Sequence, residues 1–133
     1  MRRILALFTG LLAVSATQAA SLQDFELSKL LNNVAKQSSV GTPRAINEDI
    51  LDQGYTVEGH QLINHLSVRP AHAAEMRSHP EQVRSQLRAS VCQNPGFRQL
   101  LGKGAQLSYL FSESKTNRPV AAERFQASDC GIK

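Results

Sequence analysis

The chain has 133 residues, of which 15 are basic and 11 acidic, and a sequence pI of about 9.4. This length allows one small domain and is too short for two domains of ordinary size. The modest positive charge excludes the strongly basic footprint of a nucleic-acid-binding protein.

The N-terminus has the charged, apolar and small-residue order of a secretory signal peptide. Arg2 and Arg3 precede an apolar run over residues 4–14, and small residues then lead to Ala20. The apolar run is shorter than the roughly 20 residues that a membrane-spanning helix needs. We therefore expect residues 1–20 to be a signal peptide cleaved after Ala20, or one residue earlier, and the protein to be exported, either secreted or periplasmic.

The charge of the mature chain, residues 21–133, is distributed unevenly. Because two arginines leave with the signal peptide, 13 of the 15 basic residues remain against 11 acidic ones. Residues 21–68 hold three basic and six acidic side chains, whereas residues 69–133 hold ten basic and five acidic ones. Such an asymmetry can steer an acidic partner, although a solvated surface is the simpler interpretation.

The first half of the mature chain predicts a helix followed by a β-hairpin. Ser21 is a predicted N-cap, and after it apolar residues recur with helical spacing over residues 22–37. Two strands are predicted over residues 50–57 and 61–68, and Glu58-Gly59-His60 has the length of a hairpin connection between them. One face of the second strand is expected to carry Leu62, Asn64, Leu66 and Val68.

The second half predicts helices interrupted at Pro80 and then two more strands. Ser78 and Glu81 have the spacing of a capping box, so we expect a new helix to begin there and to run to about Cys92. The remaining predicted elements are a helical turn over residues 97–101 and strands over residues 106–111 and 120–127. We therefore predict one α+β domain over residues 21–133, with an N-terminal helix, then β-β-α-β-β, and helices packed on one antiparallel sheet.

Cys92 and Cys130 are the only cysteines in the chain. In an oxidising compartment, such an even pair usually forms a disulfide. The bridge would close a loop of 39 residues counted inclusively, which the chain-entropy model values at about 4 kcal/mol. The alternatives are a nucleophilic and a metal-bound cysteine, but no histidine flanks either residue and no C-x-x-C pair is present. We expect a single disulfide between Cys92 and Cys130.

The sequence contains no motif that indicates catalysis or a bound cofactor. A Gly-rich phosphate loop, a G-x-S-x-G elbow and an H-E-x-x-H helix are all absent. Among the four histidines, His60 and His65 are expected on opposite faces of a strand arm, and Pro80 separates His72 from His79. We therefore predict no catalytic residue, no metal site and no cofactor, and a hydrolase is only our third interpretation.

A basic stripe is the best candidate for an interaction surface. On an ideal helix, Arg77, Arg84 and Arg88 fall within about 40° of one another. Three guanidinium groups on one side could bind carboxylates, sulfated sugar or an acidic protein surface. The alternative is that the three arginines lie along the border of an apolar stripe and stay solvated.

Four stretches carry a resemblance to a known family: LINHLSV at residues 62–68, VCQNPGFRQLL at 91–101, GAQLSYLF at 104–111 and RFQASDC at 124–130. Together they resemble small exported proteins of pseudomonads that are described as quorum-sensing-regulated virulence factors, a domain family of unknown function. The resemblance begins at SLQDFELSKLL and covers nearly the whole mature chain. It implies secretion, an α/β fold with one disulfide, and a role in virulence or host contact, without a known enzymatic activity and without established site residues.

Two functions of different classes are compatible with these features. The first is an exported, non-enzymatic and virulence-associated module that binds another protein or an acidic surface ligand, without nucleic acid and without membrane insertion of the mature chain. The second is a periplasmic chaperone or pilotin-like assembly factor that holds a partner helix in an apolar groove. An exposed groove at Leu107, Tyr109 and Phe111 would favour the second function, whereas full burial of these side chains would count against it.

Overall fold

The computed structural model describes the backbone of residues 13–133 and the side chains from Leu22 onward. The helices are α1 (Ala13–Ser38), α2 (Pro70–Ser78), α3 (Pro80–Gln93) and α4 (Pro95–Gly102), followed by a C-terminal 3₁₀ helix (Ala127–Cys130). The strands are β1 (Arg44–Ala45), β2 (Ile50–Glu58), β3 (Gln61–Val68), β4 (Gln106–Glu113) and β5 (Pro119–Phe125). The prediction of an α+β fold with an N-terminal helix and one disulfide is confirmed.

The described strands form one sheet in the order β1-β2-β3-β4-β5. All neighbouring strands are antiparallel except β3 and β4, which run parallel. The prediction of a wholly antiparallel sheet therefore misses one pair. The physical reason is the crossover through α2, α3 and α4, which returns the chain to the end of the sheet where β3 begins. There the Gln106 amide donates to the His60 carbonyl at 2.9 Å.

Helix α1 is longer than predicted at its N-terminal end and packs on the sheet through a narrow apolar stripe. Leu27, Leu31 and Ala35 recur at intervals of four residues, and all three are buried. Helix α1 begins at Ala13, so its backbone passes through the predicted cleavage position after Ala20. The remainder of the predicted signal peptide, residues 1–12, lies outside the described residues.

The predicted hairpin is confirmed almost residue by residue. Strands β2 and β3 are joined by Gly59 and His60, and Gly59 has a φ of +59°, which glycine adopts without steric cost. The residues of β3 that are expected to share one face are all buried. They are Leu62, Asn64, Leu66 and Val68, none more than 5% exposed.

The helical break at Pro80 is confirmed, but the predicted capping box is wrong. His79, rather than Ser78, occupies the N-cap of α3, and its side chain makes no capping hydrogen bond. The Ser78 hydroxyl instead donates backwards to the Ala74 carbonyl at 3.1 Å. Because Ser78 still belongs to α2, its side chain follows the helix that ends there rather than the one that begins.

The disulfide joins the last turn of α3 to the C-terminal 3₁₀ helix. Cys92 and Cys130 are bonded, with their Cα atoms 5.2 Å apart. Cys130 lies inside the 3₁₀ helix, because β5 ends at Phe125, two residues before the predicted end of the last strand. The bridge holds the C-terminus of the chain against α3 and leaves no free cysteine in the described part of the chain.

Candidate functional site

A surface groove of about 490 Å³ opens between α1 and the turn that joins α4 to β4. We call it the α1 groove. Its lining comes from one side of α1 and from that turn: Gln23, Glu26, Leu27, Leu30 and Lys103. The α1 residues at positions 23, 26, 27 and 30 follow helical spacing and therefore form one continuous stripe. A carboxylate on one wall and an ammonium group on the other flank the apolar base of the groove.

Several half-buried apolar side chains pack against the core outside the lining of the α1 groove. Val34 continues the stripe of α1, and Leu87 of α3 packs against both clusters that make up the hydrophobic core. Tyr109 of β4 also contacts both clusters and is half-buried, whereas Leu107 and Phe111 are buried. The described residues therefore do not form the exposed groove at Leu107, Tyr109 and Phe111 that would favour a pilotin-like assembly factor, and the open groove lies beside α1 instead.

Two tyrosines flank a buried asparagine where the two core clusters meet. In the sheet register, Tyr55 of β2 and Tyr109 of β4 both pair with Asn64 of β3. Burial raises the pKa of Tyr109 to about 12, and the nearby Tyr55 adds to the rise. Burial also raises the pKa of Tyr55, as does the charge of Asp52, while Arg44 acts in the opposite direction. Both phenols therefore stay neutral at physiological pH.

A polar cluster fixes the C-terminal end of α1 to the sheet. The buried Asp52 carboxylate accepts hydrogen bonds from the Gly54 amide at 2.9 Å and from the Asn64 side chain at 3.0 Å. The Tyr55 amide donates to the Ser39 hydroxyl at 2.8 Å, just beyond the end of α1. Gly54 has a φ of +108°, and a Cβ there would lie 3.1 Å from the Ser39 hydroxyl, so this position requires glycine.

The three arginines of the predicted basic stripe do not share one helix. Arg77 belongs to α2, whereas Arg84 and Arg88 belong to α3, because the chain breaks at His79. Arg77 forms an ion pair with Glu113 at 3.0 Å and donates to the Pro119 carbonyl at 2.8 Å. Its guanidinium group therefore fastens α2 to β4 and β5.

Arg84 is also held by internal partners. It pairs with Glu123 at 2.8 Å and with Asp129 at 3.3 Å, and its guanidinium carbon lies 4.6 Å from the ring centre of Phe125. Arg88 is exposed and has no ion pair within the described residues. As an interaction surface, the basic stripe stays a prediction, and Arg88 is the member that is free to carry it.

None of the histidines lines the α1 groove, although the ring nitrogen of His60 is 3.6 Å from Asp24 of α1. His65 contacts the Thr56 hydroxyl at 2.7 Å, and His72 lies 3.8 Å from Asp49. In the part of the chain that the structure describes, no group of three or more His, Cys, Asp or Glu side chains is arranged to hold a metal ion. Over the same part, no helix combines the length and hydrophobicity needed to cross a bilayer.

Sequence reasoning missed the α1 groove because its two walls are far apart in the chain. The available signal was the segment Gly102-Lys103-Gly104, which by itself indicates only a turn. Gly104 has a φ of +102°, and a Cβ there would lie 3.9 Å from Leu27, so the turn passes close to α1. A second cavity, of about 350 Å³, lies on the other side of this turn against Leu101 and Ile132.

Comparison with protein families places residues 20–131 in the family described as "putative quorum-sensing-regulated virulence factor". A comparison with curated protein sequences finds no match. Among solved structures, the chain is similar to a "putative secreted protein" of Pseudomonas aeruginosa. The two are 72% identical, with a TM-score of 0.80, and the match covers 82% of this chain and 96% of that one.

The chain is also similar in fold to two type II secretion pilotins. Pilotin EpsS of Vibrio vulnificus is 12% identical, with a TM-score of 0.73 and coverage of 85% of this chain and 99% of the pilotin. Pilotin AspS of Vibrio cholerae is 17% identical, with a TM-score of 0.67 and coverage of 84% of this chain and 99% of the pilotin. At these identities the similarity shows a shared fold.

Proposed function

The chain belongs to the family described as "putative quorum-sensing-regulated virulence factor", and from this premise we propose that it acts without catalysis, by holding a helical segment of another protein in the α1 groove. The protein is exported for this task, with residues 1–20 removed as a signal peptide and residues 21–133 forming the working domain. The partner segment is an amphipathic helix, because the groove has an apolar base and charged walls.

The observation that carries this proposal is the composition of the α1 groove. Leu27 and Leu30 supply apolar surface at its base, and Glu26 and Lys103 supply opposite charges at its rim. A partner helix that lays an apolar stripe along the groove can place a basic residue near Glu26 and an acidic residue near Lys103. Hydrophobic burial would then provide affinity, and the two charges would fix the direction of the helix.

Photo-crosslinking in the native strain tests the proposal. Benzoylphenylalanine placed at Leu30 lies in the α1 groove, and the same residue placed at Ala89 lies on the exposed surface of α3 as a matched control. We expect one discrete protein adduct from position 30 and none from position 89. Absence of an adduct at position 30, or identical adducts at both positions, would contradict binding in the groove.

A second, narrower function is that of a pilotin-like assembly factor that works in the periplasm. It is supported by the fold shared with two pilotins over 99% of each pilotin chain. In this case the partner is a protein of the cell envelope, and the exported chain is retained rather than released.

Quantitative fractionation of the native strain distinguishes this narrower function from a released factor. A periplasmic marker measured in parallel reports cell lysis. We expect the oxidised mature protein to be found mostly with the periplasm and envelope. Recovery mostly from the culture supernatant, without the marker, would refute the assembly role and would leave the broader proposal of a binding protein with a target outside the cell.

A further inference from the structure

The side of α1 that faces away from the sheet combines exposed apolar residues with lysines. Leu22 and Phe25 are 63% and 65% exposed, although both are large hydrophobic side chains. Lys29 and Lys36 follow at spacings of four and seven residues, and both are exposed. On an ideal helix, these four side chains fall within an arc of roughly 60°. We call this surface the outward face of α1.

The outward face carries positive charge only. The two carboxylates of neighbouring positions point elsewhere, since Asp24 lies 3.6 Å from His60 of the hairpin turn and Glu26 lines the α1 groove. Within the described residues, neither Lys29 nor Lys36 has a carboxylate at ion-pair distance. An occupant of this face must therefore offer both apolar surface and negative charge.

A second copy of the chain does not meet this requirement. If two outward faces packed antiparallel, their lysines would lie in the same interface without any carboxylate to compensate them. The apolar pair is also placed at one end of the face, ahead of Leu27, which is the first buried core residue of α1. Apolar side chains at one end of a helix can enter the apolar part of a lipid bilayer while lysines farther along the helix stay at the bilayer surface.

We propose that the outward face of α1 is a peripheral contact surface for a membrane with anionic phospholipid headgroups. Leu22 and Phe25 enter the boundary between headgroups and acyl chains, and Lys29 and Lys36 pair with the phosphates. The helix lies on the bilayer and does not cross it.

Tryptophan fluorescence provides a direct test, because the chain contains no tryptophan. The full chain carrying Phe25→Trp is expressed with its own export signal, and the exported form is purified and mixed with vesicles. Vesicles of phosphatidylcholine alone are compared with vesicles that also contain phosphatidylglycerol. Leu110→Trp is the matched control, since Leu110 is 39% exposed and belongs to the sheet rather than to α1.

We expect the tryptophan emission of the Phe25→Trp variant to shift to the blue with phosphatidylglycerol vesicles. Binding to phosphatidylcholine alone should be about tenfold or more weaker, and Leu110→Trp should show no shift. Replacing Lys29 and Lys36 together by glutamine, in the Phe25→Trp background, should abolish the preference for anionic vesicles.

An unchanged emission with both vesicle types would overturn the proposal, as would an equal shift for the Leu110→Trp control. A blue shift without vesicles that grows with protein concentration would show self-association and would also overturn it. Loss of the anionic preference in the double lysine variant, with its fold intact, would support the pairing of these lysines with headgroup phosphates.

Discussion

The two sides of the molecule use their charged residues in opposite ways. On the side formed by α3, β5 and the 3₁₀ helix, Arg84 binds two carboxylates and covers the ring of Phe125. On the α1 side, Lys29 and Lys36 point outward and have no ion pair within the described residues. The charge of Arg84 is therefore structural, whereas the charges of Lys29 and Lys36 are available for binding.

The same contrast holds for apolar side chains. Phe125 is fully buried beneath α3, whereas Phe25 of α1 is 65% exposed. The disulfide adds a covalent tie on the α3 side, while α1 is held by its apolar stripe and by the hydrogen bonds around Ser39. This difference indicates that the α3 side stabilises the fold, and it supports our proposal that α1 and the α1 groove bind the partner.

The largest expected effect comes from removing the disulfide. Replacing Cys92 and Cys130 together by serine should lower the free energy of unfolding by about 4 kcal/mol, because the unfolded chain regains the entropy of an open loop. Urea denaturation of the oxidised protein and of the variant measures the difference. A loss below about 1 kcal/mol would show that the α3 side does not depend on its covalent tie.

The next effect tests how firmly α1 is attached. Leu31 is completely buried, so Leu31→Ala should cost about 3 kcal/mol through lost burial and a cavity. Urea denaturation measures this loss. Phe25→Ser on the same helix is the control and should change stability by less than about 0.5 kcal/mol, because Phe25 is outside the core. Comparable losses for both variants would show that the outward face of α1 is also a packing surface.

A smaller effect separates the structural arginine from the free one. Arg84→Met removes two ion pairs and leaves Glu123 partly buried, and after allowance for solvent screening it should cost about 1–2 kcal/mol. Arg88→Met, one helical turn later, should cost less than about 0.5 kcal/mol. Thermal unfolding of both variants measures the contrast, and equal losses would remove the distinction between them.

The smallest effect concerns alkaline pH. The pKa of Tyr109 is about 12 in the folded protein against 10.0 for an ordinary tyrosine, so the folded state favours the neutral phenol. This contribution to stability is fully present below pH 10 and is lost as the pH rises towards 12. Phenolate absorbance should show one tyrosine titrating near pH 12 in the folded protein and both near pH 10 in urea. Titration of both at pH 10 without urea would refute the burial of Tyr109.

Local patterns predict much of this fold. The apolar spacing of α1, the hairpin turn at Gly59 and the break at Pro80 are all recorded in short stretches of sequence, and the structure has each of them. The disulfide is equally predictable from the sequence, because Cys92 and Cys130 are the only two cysteines and can pair in one way. Predictions of this kind succeed because neighbouring residues determine the outcome.

The features that sequence reasoning misses depend on contacts between distant residues. The parallel pairing of β3 and β4 follows from how three helices cross over the sheet, and the α1 groove needs Lys103 to approach a helix that lies far earlier in the chain. Spacing alone also does not show that Arg77 meets Glu113 or that Arg84 meets Glu123, although the basic stripe as an interaction surface stays a prediction. Tertiary contacts determine the strand pairing, the groove and the partners of these arginines, and the spacing of residues along the sequence does not reveal those contacts.

Partner capture by paired variants tests the central claim most directly. The exported protein, tagged at its C-terminus, is recovered from the native strain as wild type, as Leu30→Gln in the α1 groove and as Arg88→Glu on the basic stripe. All three proteins must first show the same cooperative unfolding. We predict that the partner identified by crosslinking at position 30 is lost with Leu30→Gln and retained with Arg88→Glu. Retention with Leu30→Gln and loss with Arg88→Glu would assign recognition to the α3 side and contradict the account.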